Sequence, residues 1–162
     1  MRHTEVAVFL DSFTRWMYEG QRPNALARFL NRGSAILHRL GVAPNYLVTL
    51  EVVGRRSGRA ISFPLVMAVV DGERYLVSML VCEVAWVKNL DAAGGRAVLR
   101  HGRVERVRLE QVPVERRAPI IQAYLKRAPG ARPHIAVDKN APLAEFEAIA
   151  GEIPVFRVVG ER

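Results

Sequence analysis

The sequence predicts an α+β protein with a small closed antiparallel β-barrel at its centre and helices flanking it. Three observations carry this. Runs of β formers follow one another closely from Leu47 to Val112 and are joined by short turns such as Asp71-Gly72 and His101-Gly102. Helical stripes occupy residues 4–40 and the stretch after Pro119. A last β-forming run, Ile153 to Val159, is available to close a barrel, the arrangement that best hides strand edges.

The elements are read in chain order. Val6, Phe9, Leu10, Phe13 and Met17 fall at helical spacing and end near Gly20. Asn24 is a candidate N-cap for a second helix, whose stripe runs through Leu26, Phe29, Leu30, Ile36, Leu37 and Leu40. Leu47 to Val53 is the first strand and Ile61 to Val70 the second. Pro64 cannot donate to a ladder and therefore marks an edge or a bulge. After Asp71-Gly72 the chain returns through Tyr75 to Leu80, and a short helix spans Glu83 to Ala93, closed by Gly94-Gly95. Ala97 to Arg100 and Val104 to Val112 pair across His101-Gly102, so the hairpins predict a sequential meander. Pro119 suits the first turn of a helix carrying Ile120, Ile121, Tyr124 and Leu125, stopped at Pro129-Gly130. Residues 131–140 read as a loop, and Leu143, Phe146 and Ile149 as a short helix. No linker, repeat or low-complexity tract interrupts residues 1–162, so one domain is expected.

Composition narrows the function classes. Half of the 162 residues are apolar, which excludes overall disorder, and no apolar run reaches spanning length. The single Cys82 permits no intrachain disulfide, and the N-terminal stretch is broken by Asp11, Arg15 and Glu19, so a cytoplasmic location is expected. The formal charge of +8, carried mostly by arginine, favours an anionic partner. Nucleic acid is not expected, because helix-turn-helix, zinc-finger and base-stacking patterns are missing. His3, His38, His101 and His134 lie at no ligand spacing, so no metal is expected. The basic helix from Asn24 to Leu40 either packs on the barrel or makes peripheral contact with an anionic membrane.

Two constellations can carry chemistry. In Gly54-Arg55-Arg56-Ser57-Gly58-Arg59, glycines permit a tight turn whose successive N–H groups can cup an oxyanion, with arginines adding charge-assisted bonds. The same pattern also suits an ordinary hairpin with solvated arginines. Trp86 and Asn89 share a helix face; they could wall and hydrogen-bond a planar ligand, or serve the core.

The order of these motifs, from the basic turn through Pro64-Leu65 and the Asp-Gly hairpin to Trp86-x-x-Asn89-Leu90, resembles the deazaflavin-dependent nitroreductase family. The resemblance implies a split β-barrel that binds coenzyme F420, a deazaflavin with a phosphate and an oligoglutamate tail. It assigns the phosphate to Arg55, Arg56 and Ser57. The ring falls to Ser62, Pro64, Leu65, Ser78 and Met79, and closure of the pocket to Trp86 and Asn89. It implies hydride transfer to a quinone, a nitroaromatic or another electrophilic small molecule; Ser78 and Tyr124 are candidate proton donors on their hydroxyl chemistry alone. FMN is the alternative cofactor. A carrier of flavin, haem or fatty acid on the same barrel is the alternative function, and a membrane-surface protein is another; monomer and dimer both stay open. Leu80-Val81-Cys82-Glu83 departs from the many family members that carry a lysine and paired glycines there.

Overall fold

The computed structural model describes residues 46–79 and 84–161. The two expected N-terminal helices, Cys82 and the segment 80–83 lie outside the described residues. Six strands form a closed antiparallel barrel: β1 (Leu47–Val53), β2 (Ala60–Val70), β3 (Glu73–Val77), β4 (Arg96–His101), β5 (Arg103–Gln111) and β6 (Val155–Gly160). Helix α1 (Ala85–Ala92) lies between β3 and β4 in the chain, while α2 (Ala118–Arg127) and α3 (Leu143–Ile149) lie between β5 and β6. The segment expected as a loop includes part of a 3-10 turn, Pro129–His134.

The strand order around the barrel is β1-β2-β3-β6-β5-β4, which corrects the sequential meander. Each expected hairpin is present, but β3 and β4 are not neighbours. The last strand is inserted between β3 and β5, and β4 closes on β1 through Leu50 opposite Leu99. The helix between β3 and β4 lets the chain skip a position that β6 later fills, a long-range pairing that no local turn signal encodes.

Period-two alternation divides the barrel wall into two faces. Val48, Leu50, Val52, Leu76, Leu99, Val107, Leu109, Phe156 and Val158 form an interior cluster with Trp86, Val87 and Leu90 of α1. Trp86 meets Phe156 edge-on, ring centroids 5.4 Å apart, a contact worth about 1 kcal/mol beyond area burial that helps seat α1 in the barrel. Outward-facing Ala68, Tyr75 and Val77 form a second cluster with Ile121, Tyr124 and Leu125 of α2 and Phe146 of α3. Within this second layer, buried Arg117 donates to the carbonyls of Val112 (2.7 Å), Ala150 (3.2 Å) and Ile153 (3.3 Å).

Pro64 sits where its missing donor does no harm. The amide of Met67 donates to Tyr46 at 2.7 Å, so by alternation the nitrogen of Pro64 faces away from β1. Pairing of β2 with β3 begins only at Met67 opposite Leu76, so the first half of β2 has a one-sided ladder. The sequence expectation of an edge at Pro64 therefore matches a local edge inside a closed barrel.

Candidate functional site

The basic turn joins β1 to β2 and is built by its own backbone. The amide of Gly54 donates to Arg59 and that of Gly58 to Gly54, both at 2.8 Å. The Ser57 hydroxyl accepts the Arg59 amide at 3.3 Å and lies over Gly54. A Cβ on Gly54 would come within 2.7 Å of that hydroxyl oxygen and of the Ile61 side chain, displacing both, and Gly58 adopts φ 65°, the left-handed region that favours glycine.

Helix α1 fixes the other side of the turn. Asn89 is 2% exposed, and its Oδ1 accepts the Arg55 guanidinium at 2.8 Å and the Arg55 amide at 3.3 Å. The remaining consecutive amides, those of Arg56 and Ser57, have no partner among the described residues. They lie in an exposed loop that carries Arg55, Arg56 and Arg59. Two adjacent N–H groups without a described partner, in a loop that carries three arginines, suit one oxyanion, such as a phosphate or carboxylate group. This donor set therefore fits the anionic end of a phosphorylated cofactor.

The other expected site residues separate into four places. Ser62 and Pro64 lie on the outer face of β2, where Ser62 Oγ donates to Glu51 at 3.4 Å and the Arg100 Nε lies 2.8 Å from the same carboxylate oxygen. Leu65 packs with the barrel interior, as does Trp86, which is 6% exposed. Ser78 is buried with its amide on the Pro154 carbonyl at 2.9 Å. Met79 and Tyr124 pack in the cluster under α2. The structure thus brings Arg55, Arg56, Ser57 and Asn89 together and sets Tyr124 in a different layer from them.

Sequence reasoning missed Glu51 and Arg100. The signal was the lone carboxylate in an otherwise apolar and β-branched strand, Leu47–Val53, two residues ahead of the strand's end. Register places Glu51 opposite both Ser62 and Val98, which leaves Arg100 one diagonal step away.

A cleft of about 390 Å³ opens beside Leu90, Gly95, Arg108 and Phe156 and does not reach the basic turn. Among the described residues, no group of three or more His, Cys, Asp or Glu is placed to hold a metal ion. No described helix is long and apolar enough to cross a membrane.

No family model and no curated protein matches the chain. Solved structures do match. A conserved hypothetical protein of Mycobacterium tuberculosis superposes with a TM-score of 0.53 and 17% identity, over 76% of this chain and 78% of that one. A Bacteroides thetaiotaomicron protein provisionally assigned to 5-nitroimidazole antibiotic resistance gives 0.52 and 11%, over 80% and 78%. An Agrobacterium tumefaciens protein of unknown function gives 0.54 and 12% over 80% of this chain, which spans only 55% of that protein. At these identities the likeness is one of fold, and it places the chain among proteins with the same barrel architecture.

Proposed function

We propose that the protein is a reductase that binds the deazaflavin coenzyme F420, with the cofactor's phosphate on the turn from Gly54 to Arg59. The observation that carries this reading is the pair of amides at Arg56 and Ser57 without a partner among the described residues, in a loop that carries three arginines and is tied to α1 through Arg55 and Asn89. The order of sequence motifs supports the deazaflavin over other phosphorylated ligands. One neighbour of the same fold is provisionally assigned to resistance against nitroimidazoles, which are nitroaromatic compounds.

When bound and reduced, a deazaflavin supplies a hydride. The chain's own residues bind and orient. The Arg56 and Ser57 amides and the arginine side chains hold the oxyanion. Asn89 fixes the direction of Arg55. The outer face of β1 and β2, with Ser62 and Pro64, offers the surface next to the turn along which a planar ring would lie. No side chain need act as an acid–base dyad on this reading, because the hydride chemistry belongs to the cofactor.

The test is fluorescence titration of the purified chain with oxidised F420. Saturable binding is expected, weakened at least tenfold in Arg55→Ala with Arg56→Ala and unchanged in Arg127→Ala. Absence of binding to the native chain would sink the proposal. FMN is titrated in parallel: tighter binding of FMN, lost in the same double variant, would move the reading to a flavin on the same grip.

A further inference from the structure

The seven arginines on the barrel strands fall into two groups. Arg74, Arg100, Arg103 and Arg157 each lie beside a glutamate: Glu105, Glu51, Glu105 and Glu110. Arg96, Arg106 and Arg108 have neither an ion pair nor a side-chain hydrogen bond among the described residues, and all three are exposed. They share one surface. Along β5, buried Val107 and Leu109 point inward, so Arg106 and Arg108 point outward. On β4, inward Ala97 and Leu99 put Arg96 on the same outer side.

Register brings them close. Arg96 stands directly opposite Arg108, and Arg106 stands opposite Val98. Facing residues on paired strands are about 5 Å apart, and alternate residues along one strand about 7 Å. Like charges directly opposite destabilise a sheet, and among the described residues no ion pair reaches any of the three. Of the acids beside it, Glu51 is engaged with Arg100 and Glu110 with Arg157, each at 2.8 Å, and Glu161, whose amide donates to the Arg106 carbonyl at 2.9 Å, forms no ion pair with it.

The same face carries bare aliphatic side chains. Val104 is 62% exposed and Val53 53% exposed. Val104 stands opposite Arg100 across β5 and β4, and Val53 lies two residues past Glu51, where the pairing of β1 with β4 ends. Three exposed guanidiniums with no ion pair among the described residues, beside exposed valines on a sheet face, match the interfacial zone of an anionic bilayer, phosphates for the cations and acyl boundary for the valines. No aromatic side chain lies on these outward positions, as a nucleic-acid stacking surface would need.

We infer that the outer face of β4 and β5 docks this protein on anionic phospholipid. The inference is independent of the cofactor reading, since it uses no residue of the Gly54–Arg59 turn.

The experiment is co-sedimentation of the full chain with vesicles of phosphatidylcholine alone or mixed with phosphatidylglycerol. Binding is expected only to the mixed vesicles and is expected to weaken with salt. Each arginine near such a surface is worth about fivefold in affinity, so Arg96→Gln, Arg106→Gln and Arg108→Gln together should lower it roughly a hundredfold. Arg116→Gln, Lys126→Gln and Arg127→Gln together change the charge equally elsewhere and should cost under tenfold. Equal losses in the two triples would overturn the inference in favour of net charge alone. Undiminished vesicle binding in the face triple would overturn it in favour of another part of the chain. Tighter binding to a duplex oligonucleotide than to vesicles, lost in the face triple, would overturn it in favour of nucleic acid. Should the triple fail to fold, Arg106→Gln alone is read for its roughly fivefold loss.

Discussion

Asn89 holds Arg55 twice, accepting both its guanidinium at 2.8 Å and its amide at 3.3 Å across 34 positions of sequence. The helix that fills the barrel interior with Trp86, Val87 and Leu90 therefore also sets the shape of the exposed basic turn. Burial of Asn89 makes this a fixed strut, because its carbonyl oxygen has given up water for these two donors.

Replacing Asn89 separates position from charge. Asn89→Ala removes the strut, and Arg55 then samples solvent. F420 affinity is expected to fall about tenfold, with about 1 kcal/mol lost in stability. Asn89→Asp keeps an acceptor for both donors but neutralises Arg55. Affinity is expected to fall at least as far as in the alanine variant, while the melting temperature stays closer to native. Titration and thermal melts on the two variants check this. An aspartate variant that binds as the native chain does would show that Arg55 contributes no charge to the ligand.

How far the sequence reveals this site depends on which contacts are local. The glycine-flanked turn and the Trp86-x-x-Asn89 helix are each local patterns, so both were legible, as were the hairpins at Asp71-Gly72 and His101-Gly102. Their meeting was not, because it depends on how α1 enters the barrel, a matter of packing against Phe156 on the last strand. The insertion of β6 between β3 and β5 is long-range in the same way. Glu51 and Arg100 escaped for a related reason: a charge in a strand reads as a solvated outward residue until register shows its partner.

Arg117 predicts a stability effect with no effect on the ligand. Its guanidinium satisfies carbonyls of Val112, Ala150 and Ile153 and ties the end of β5 to the approach to β6. Arg117→Ala leaves these buried acceptors unpaired and is expected to cost roughly 3 kcal/mol. Lysine is a poor substitute, because one ammonium cannot reproduce the fork. Denaturant midpoints should rank native, then lysine, then alanine, with F420 affinity unchanged in any variant that stays folded.

Arg74 and Glu105 link β3 to β5 over the strand between them, with Nη–Oε distances of 2.8 and 2.6 Å. The Arg74 hydrogen bonds hold the Glu105 carboxyl below the usual carboxylate range, against the opposing effect of burial. A lowered folded-state pKa means that the contribution is present above the unfolded glutamate value. It is lost as pH falls through the folded value. Glu105→Gln should therefore be less stable than native at neutral pH, by about 1 kcal/mol for a partly exposed pair. The difference should shrink as the solution is acidified below the ordinary glutamate range. Thermal melts of both proteins across that range measure it, and a gap that widens on acidification would contradict the assignment.

Gly95 is the point at which α1 hands over to β4, and it admits no side chain. Its φ is 81°, and its carbonyl accepts the Leu109 amide at 2.8 Å. A Cβ placed there would lie 2.8 Å from the Leu109 carbonyl oxygen, which is backbone and cannot swing aside. Gly95→Ala therefore combines left-handed strain with a clash against β5 and should cost about 3 kcal/mol. Gly94→Ala is the control. That residue has φ 63° but open space around its Cβ, so only the conformational cost of about 1 kcal/mol remains. Because α1 also carries Asn89, the Gly95 variant should disturb the basic turn as well, and F420 affinity should fall with stability. Equal destabilisation by the two substitutions would mean that β5 yields to the added methyl group, and that α1 is held in the barrel by its apolar face rather than by this junction.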